Sequence, residues 1–213
     1  MPILYLDDLL VVIHKPPGLL VHRTPLARDR VFALQTLRDQ LGRRVWPVHR
    51  LDRATSGVMV FGLNPDAARA LAGQFERHEV EKTYHALARG WVEAEGVIDH
   101  PIRDDDAPQA APQPAVTRYR RLARVELPVA VDRYPSSRYS LAAVEPVTGR
   151  RQQIRRHFKH ISHPIIGDTT HGNGRHNRFF RERYGIHRLM LTAQRLAFTH
   201  PDSGERLAFS ALP

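Results

Sequence analysis

The stretch His49–Leu63, HRLDRATSGVMVFGL, joins a polar loop to an apolar run. The run Val58–Phe61 is rich in β-branched and aromatic residues and is closed by Gly62, a pattern typical of a buried strand. A loop mounted on the start of a core strand is held rigidly, as a catalytic group requires. Asp52 is therefore the candidate catalytic carboxylate. The alternative role for Asp52 is a structural salt bridge to a neighbouring arginine.

The charge balance of the chain narrows its function. The 213 residues include 32 Lys and Arg and 22 Asp and Glu, which gives a net charge of +10 and predicts a polyanionic partner, either nucleic acid or an anionic membrane surface. No apolar stretch approaches the roughly 18 residues of a membrane-spanning helix, and the first residues, MPILYLDD, lack the basic start of a signal peptide. The absence of cysteine excludes disulfides and thiolate chemistry. These features favour a cytoplasmic protein that binds nucleic acid.

Hydrophobic periodicity predicts strands and helices interspersed along the chain. The predicted strands are Leu9–Ile13, Val58–Phe61, Val80–Gly90, Val116–Leu127, Arg138–Val144 and Leu189–Leu191, with a hairpin turn at Pro201–Gly204. The predicted helices are Val31–Leu41, Asn64–His78 and a segment after Gly149 with Ile154, Phe158 and Ile161 on its apolar face. This order predicts an α+β fold with a mixed, largely antiparallel sheet.

The segment Arg103–Pro114, RDDDAPQAAPQP, predicts a flexible connector within a single domain of residues 1–213. The run Asp104–Asp106 favours a solvated loop over a cation site, because consecutive carboxylates seldom converge on one ion. His157, His160 and His163 drift around a helix, so phosphate or structural contacts are favoured over a metal site. No metal is therefore expected.

Positive charge is concentrated between Glu145 and Arg188, where ten basic and three acidic residues account for +7 of the net charge. Nearly all of these basic residues are arginines, and they are interleaved with Phe179, Phe180 and Tyr184. Guanidinium groups suit phosphate oxygens, and aromatic rings suit exposed bases, so nucleic-acid binding is favoured over an ordinary solvated face. The expected RNA-contacting residues are Arg50, Arg150, Arg151, Arg156, Lys159, Arg175 and Arg178.

Two familiar enzyme classes do not fit the residues around Asp52. The sequence HRLD differs from the kinase catalytic loop by the inserted Leu51, and no Gly-rich loop or DFG sequence accompanies it. Ser56 lies in TSG rather than in a GxSxG turn, which predicts a hydroxyl that caps local backbone and not a nucleophile.

An ordered series of motifs resembles the RluA-type pseudouridine synthases. The motif HRLDxxTSG at His49–Gly57 resembles the family signature. The other elements are Lys15-Pro16-x-Gly18 with Val21-His22, Glu81-Lys82-x-Tyr84-x-Ala86 ending at Gly90, Thr148-Gly149-Arg150 with Gln153-Ile154-Arg155 and His157, and His163–Asp168. Residues 112–117, 133–135, 171–178, 189–191 and 199–201 further resemble the branch that modifies uridine 65 of tRNA. Gln152 and Thr192 depart from the family pattern, where His is common, which bears on substrate fit.

The resemblance implies a sheet in two halves with a central active-site cleft, and no S4-like RNA-binding module before it. It also implies isomerisation of a uridine in RNA, in which the N1–C1′ bond breaks and C5 bonds to C1′ after the base leaves the helix. No cofactor is needed, and the expected partner is tRNA, with no membrane and no obligate protein partner. A ribosomal RNA synthase of the same family and a non-catalytic RNA-binding protein are the alternatives.

The resemblance also assigns roles to the site residues. Asp52 is the ionised catalytic carboxylate, acting either as a base on the sugar or as a nucleophile. Arg155 is its expected ion-pair partner, and Tyr84 is the ring that stacks on the target uracil. Arg50 fills the space left by the flipped base, and His49 is expected to be a structural neighbour of the loop rather than a base.

Overall fold

The computed structural model describes residues 1–22, 31–107 and 109–211. The chain forms two compact units, which we call unit 1 (Met1–Lys82 and Thr192–Pro213) and unit 2 (Thr83–Leu191). Among the described residues, no helix has the length and apolar character needed to cross a membrane.

The described residues form ten strands and four helices. The strands are β1 (Ile3–Leu6), β2 (Leu10–Lys15), β3 (Trp46–Pro47), β4 (Ser56–Gly62), β5 (Glu81–Arg89), β6 (Glu95–Asp99), β7 (Val116–Leu127), β8 (Ser137–Pro146), β9 (Leu191–Thr199) and β10 (Arg206–Ser210). The helices are α1 (Ala33–Leu41), α2 (Pro65–Glu76), α3 (Gln153–His160) and α4 (Gly174–Tyr184).

Strand β4 is central to unit 1. It pairs antiparallel with β2 and β3 and parallel with β9, while β1 pairs with β2 and β10 pairs with β9. Every residue of β4 is buried. The side chain of Asn64 caps α2 by accepting a 2.8 Å hydrogen bond from the Ala67 N–H. The helix packs closely on β4, because a Cβ at Gly62 would lie only 2.7 Å from the Cβ of Ala68.

The strands of unit 2 run in the order β5–β8–β7–β6, and each neighbouring pair is antiparallel. Helix α3 packs on β7, where the rings of Phe158 and Tyr119 are 5.7 Å apart. A second apolar cluster joins Tyr139 of β8 to Ile166 and Phe180, and Phe180 belongs to α4. The predicted α+β class with a mixed, mostly antiparallel sheet is confirmed.

Several predicted boundaries were wrong. The predicted strand Leu189–Leu191 is in fact β9, Leu191–Thr199, and the hairpin at Pro201–Gly204 joins it to β10. Strands β1, β3 and β6 and helix α4 were not predicted. Helix α4, GRHNRFFRERY, buries only His176 and Phe180, so its sequence has too few apolar residues to show a helical period.

The predicted connector 103–114, which the structure describes except for residue 108, has its two ends bonded together. Ile102 and Gln113 exchange two backbone hydrogen bonds of 2.9 Å at its base. Its carboxylates pair with arginines, Asp106 with Arg151 and Asp105 with Arg156. The flexibility of this connector and the single-domain organisation of the chain stay predictions.

Candidate active site

Asp52 lies in unit 1, in the turn directly before β4. Its backbone carbonyl accepts a 3.1 Å hydrogen bond from the Thr55 N–H, which closes a tight turn. The Asp52 side chain is half-buried, whereas Thr55 and Ser56 are buried. The predicted loop at the head of a buried strand is therefore confirmed.

A buried ammonium group lies beneath this loop. Lys15, the last residue of β2, is 0% exposed, and its Nζ donates to the carbonyls of Pro16 at 2.9 Å, Leu19 at 2.8 Å and Arg53 at 3.2 Å. The Gly18 N–H also donates to the Arg53 carbonyl at 2.8 Å. These bonds join the loop after β2 to the loop that holds the candidate carboxylate.

The side chain of Lys15 gains and loses its proton at a lower pH than an exposed lysine does. Burial lowers the pKa of its ammonium to about 8, although the nearby Asp52 carboxylate acts in the opposite direction. Three carbonyl oxygens match the three N–H donors of the charged form, so deprotonation removes one donor from the loop.

Replacing Lys15 by Met should lower the free energy of unfolding by about 2 kcal/mol, because it leaves buried carbonyls without a donor.

The stability that Lys15 contributes should also depend on pH, because the folded chain releases the Lys15 proton near pH 8 and the unfolded chain near pH 10.5. The unfolded state therefore binds more protons between these values, and the stability of the wild type should rise with pH there relative to the variant. Urea unfolding from pH 7 to 10 tests both expectations, with exposed Arg69→Met as the matched control. Equal stability of the Lys15 and Arg69 variants would contradict this role.

The TSG turn is fixed against β9. Gly57 has φ of +120°, and a Cβ there would lie 2.2 Å from the Ala193 carbonyl oxygen, so only glycine fits. The buried hydroxyls of Ser56 and Thr192 are hydrogen-bonded at 3.0 Å. Ser56 is structural, as expected, but its partner is this neighbouring strand and not the local backbone. Thr192 has a structural contact of its own inside unit 1.

The structure confirms that His49 is a structural neighbour of the loop, and the expectation that it is not a base stays a prediction. Its Nε2 accepts a 3.2 Å hydrogen bond from the Val60 N–H, and its ring stacks on Phe75 with 4.4 Å between centroids. Burial, together with the charge of Lys82, lowers the pKa of His49 to about 3. The imidazole is therefore neutral, and the nitrogen that would accept a proton is already engaged.

Arg155 and Asp168 form a buried ion pair in unit 2. Arg155 donates from Nε at 2.7 Å and from Nη2 at 2.8 Å, and the two side chains are only 6% and 1% exposed. Asp168 Oδ1 also accepts the Thr170 and His171 N–H groups, both at 2.9 Å. Burial alone would raise the pKa of Asp168, but these donors outweigh it and lower the pKa. The guanidinium is therefore held rigidly, with further N–H donors beyond the two that Asp168 accepts.

The motif before Arg155 builds the start of α3. Gln153 Oε1 accepts from the Thr148 hydroxyl at 2.7 Å and from the Arg150 N–H at 3.0 Å. Gln152 adopts a left-handed conformation with φ of 55°, and its Oε1 accepts a 2.7 Å hydrogen bond from His171 Nε2. The side chains of the motif thereby fix the helix that carries Arg155.

Tyr84 lies half-buried on β5, opposite Val144 of β8. The segment that leads to Asp168 is bonded to the same strand, because the Ile166 N–H donates to the Leu87 carbonyl at 2.9 Å. Unit 2 therefore connects the strand of Tyr84 with the partner of Arg155. Asp52 belongs to unit 1, and its pairing with Arg155 stays a prediction.

The predicted RNA-contacting residues differ in their surroundings. Arg50, Arg150, Lys159 and Arg178 are exposed. Three others pair with carboxylates: Arg151 with Asp106, Arg156 with Asp105 and Arg175 with Asp132. The i, i+4 spacing of Arg151, Arg155 and Lys159 predicts one row on a helix, and this prediction is wrong for Arg151 because α3 begins only at Gln153.

The histidines of α3 and its C-terminal flank make structural contacts, which is one of the two roles that the sequence favoured for them. His157 donates from Nε2 to the His100 carbonyl at 3.0 Å, and His163 donates from Nδ1 to the Arg89 carbonyl at 2.8 Å. His160 stacks on the ring of His100 with 3.7 Å between centroids. In the described part of the chain, no three His, Asp or Glu side chains form a group that would hold a metal ion.

Comparison with known proteins identifies the class. The family profile described as RNA pseudouridylate synthase matches residues 9–160, and the chain belongs to this family. The resemblance drawn from the motifs is thereby confirmed.

Relatives in the family match almost the whole chain. The protein named tRNA pseudouridine synthase C of Pectobacterium carotovorum subsp. carotovorum is 51% identical over 218 residues, which cover 98% of this chain and 58% of that protein. The proteins of the same name from Vibrio cholerae and Salmonella typhimurium are 48% and 51% identical, over 98% of this chain and 89% and 84% of their own lengths. The chain thus spans just over half the length of the first relative and most of the other two.

Solved structures agree in fold. Human RNA Pseudouridylate Synthase Domain Containing 1 superposes with a TM-score of 0.77 at 25% identity, covering 100% of this chain and 83% of that chain. Human RNA Pseudouridylate Synthase Domain Containing 4 superposes with a TM-score of 0.75 at 26% identity, and the match covers 99% of this chain and 88% of that chain.

Proposed function

We propose that the chain isomerises uridine to pseudouridine in tRNA, and that its target is uridine 65 in the T stem. The observation that carries the proposal is the identity of about half of all residues, along 98% of the chain, with proteins named tRNA pseudouridine synthase C. The net charge of +10 suits an RNA substrate. A tRNA substrate in turn places the enzyme in the cytoplasm.

In the proposed reaction the N1–C1′ bond of the target breaks, the uracil turns, and C5 bonds to C1′. The C5 proton is lost and N1 gains one, so atoms balance without net oxidation or hydrolysis. Asp52 supplies the ionised carboxylate, either to take a proton from the sugar or to attack its carbon. The bonds that Lys15 and Gly18 make to the Arg53 carbonyl support this role, because they restrict the turn that carries the carboxylate.

Arg155 is proposed as the cation that keeps Asp52 ionised. Its two hydrogen bonds to Asp168 support this role, because a guanidinium already oriented loses little entropy when it binds a further acceptor. Tyr84 is proposed to stack on the flipped uracil, and Arg50 to fill the space that the base leaves.

The basic residues would offset the cost of base flipping, which is a few kcal/mol. Exposed Arg150, Lys159 and Arg178 are proposed to bind phosphates directly. Arg151, Arg156 and Arg175 would exchange their loop carboxylates for phosphate oxygens, since surface ion pairs contribute little to stability.

The test is to incubate the purified protein with unmodified tRNA transcripts and with ribosomal RNA, and to map pseudouridine by carbodiimide-dependent reverse-transcription stops. A new stop at position 65 of tRNA is expected. Stops in ribosomal RNA alone would move the enzyme to another branch of the family. Binding of tRNA without any stop would contradict a catalytic role.

A further inference from the structure

The β7–β8 hairpin of unit 2 extends beyond its neighbouring strand. β6 pairs only with residues Val116–Arg120 of β7, so the hairpin from Leu122 onward has no strand partner on that edge among the described residues. Residues 116–138 contain six arginines and two acidic residues. This excess lies outside the basic segment 145–188 and contains none of the proposed catalytic residues, and its residues 133–135 belong to a segment that resembles the branch acting on uridine 65 of tRNA.

Two of these arginines are held against one tryptophan. The guanidinium carbons of Arg124 and Arg138 lie 4.7 and 4.2 Å from the centroid of the Trp91 ring. Trp91 is fixed in turn by a 3.1 Å hydrogen bond from its Nε1 to the Val125 carbonyl. Arg138 also pairs with Glu126, at 3.2 Å. A guanidinium stacked on a ring keeps its N–H donors in its own plane, where they can bind phosphate oxygens.

The tip of the hairpin presents an aromatic ring beside another guanidinium. Tyr134 is 52% exposed, and the guanidinium carbon of Arg133 lies 4.8 Å from its ring centroid. The tip is attached to α4 through the ion pair between Asp132 and Arg175. The hairpin and the basic helix α4 therefore form neighbouring parts of one cationic surface in unit 2.

The composition of this surface favours RNA over a lipid membrane. Arg124 and Arg133 are exposed, and no salt bridge among the described residues includes either of them. Arginine next to an exposed aromatic ring matches phosphate oxygens and an unstacked base together, whereas binding to anionic lipid needs only positive charge and apolar area. The family of the chain acts on RNA.

We propose that the β7–β8 hairpin is a second RNA-binding surface, which holds backbone phosphates with Arg124 and Arg133 and stacks an unpaired base on Tyr134. The inference rests on the proposed function in taking tRNA as the RNA that is bound. The hairpin would contact the substrate away from the target uridine and so raise the affinity for whole tRNA over that for a short stem-loop.

The test measures the Kd of unmodified tRNA and of a stem-loop carrying the target uridine, with Asp52→Ala as the background to prevent turnover. The double variant Arg124→Gln/Arg133→Gln should weaken whole-tRNA binding on the order of tenfold and reduce the slope of log K against log salt by about two. Tyr134→Ala should weaken it severalfold without changing the salt slope. Because the stem-loop lacks the distal contact, the affinity gap between the two RNAs should narrow in both variants.

The matched control is Arg38→Gln/Arg69→Gln, which removes the same charge from exposed helix positions of unit 1 and should leave both affinities within about twofold. An unchanged Kd and salt slope in the hairpin variants would overturn the inference. So would loss of binding to vesicles of phosphatidylglycerol and phosphatidylcholine without loss of tRNA binding, which would indicate a lipid surface. If the protein with intact Arg124 and Arg133 binds no tRNA, the proposed function itself fails, whatever the hairpin variants do.

Discussion

Asp52→Asn should reduce the rate of pseudouridine formation at least about 10³-fold, because the variant has the shape of the wild type but neither the charge nor the basicity that the reaction needs. The turn should survive, since its 3.1 Å hydrogen bond uses the Asp52 backbone carbonyl and not the side chain. Release of tritium from tRNA tritiated at uridine C5 measures the reaction, because C5 loses its proton when it bonds to C1′.

The control for this variant is Asp66→Asn, which removes a carboxylate that is exposed on α2 and pairs with Arg69 at the surface. It should turn over at the wild-type rate. The Kd of Asp52→Asn for tRNA should stay within a few-fold of the wild type. Full tritium release by Asp52→Asn would show that Asp52 has only a structural role, such as a salt bridge to a neighbouring arginine.

Asp168→Asn should lower the free energy of unfolding by about 3–5 kcal/mol, because it removes the carboxylate charge from a buried ion pair with Arg155. Activity should fall as well, since the same change removes the acceptor that orients Arg155. Urea unfolding at pH 7 measures the first effect and tritium release the second. The double variant Arg155→Met/Asp168→Asn should be more stable than Asp168→Asn alone, because it removes the buried guanidinium charge together with the carboxylate that offsets it.

The pH dependence gives an independent check on this pair. The pKa of Asp168 is lower in the folded chain than the value of 3.8 expected when unfolded. The stability that the ionised Asp168 carboxylate contributes is therefore complete above pH 3.8, and it is lost as the pH falls through the pKa of Asp168 in the folded chain. The exposed pair of Asp105 with Arg156 is the control, and Asp105→Asn should cost less than about 1 kcal/mol. A cost for Asp168→Asn equal to that of the control would contradict the structural importance of the pair.

Local sequence signals were sufficient to predict the loop that carries Asp52 and the buried strand β4 that follows it. Both depend on residues that are adjacent in the chain: an apolar run, a glycine and a polar loop before them. The family motifs likewise predict Arg155 and Tyr84 as site residues, and the roles of both are taken from the resemblance.

The partners of these residues were not predictable, because tertiary structure brings them together. Asp168 follows Arg155 by 13 positions, and its only sequence signal was its place at the end of the motif His163–Asp168. Lys15 gave no sign of its burial, since a lysine next to two prolines reads as an exposed turn residue. Charge counting likewise located the basic segment but did not show that Arg151 and Arg175 are already paired with carboxylates.

The hydroxyl contact between Ser56 and Thr192 has a consequence for biosynthesis, since 136 positions separate these two residues. Unit 2 is one continuous segment, whereas unit 1 needs β9 and β10 to complete its sheet. On the ribosome, the segment of unit 2 therefore emerges in full before the strand that supports the Asp52 turn has been made. The candidate catalytic loop therefore acquires its last supporting contact only after Thr192 has been synthesised, later than the hairpin of unit 2 that we propose to bind RNA.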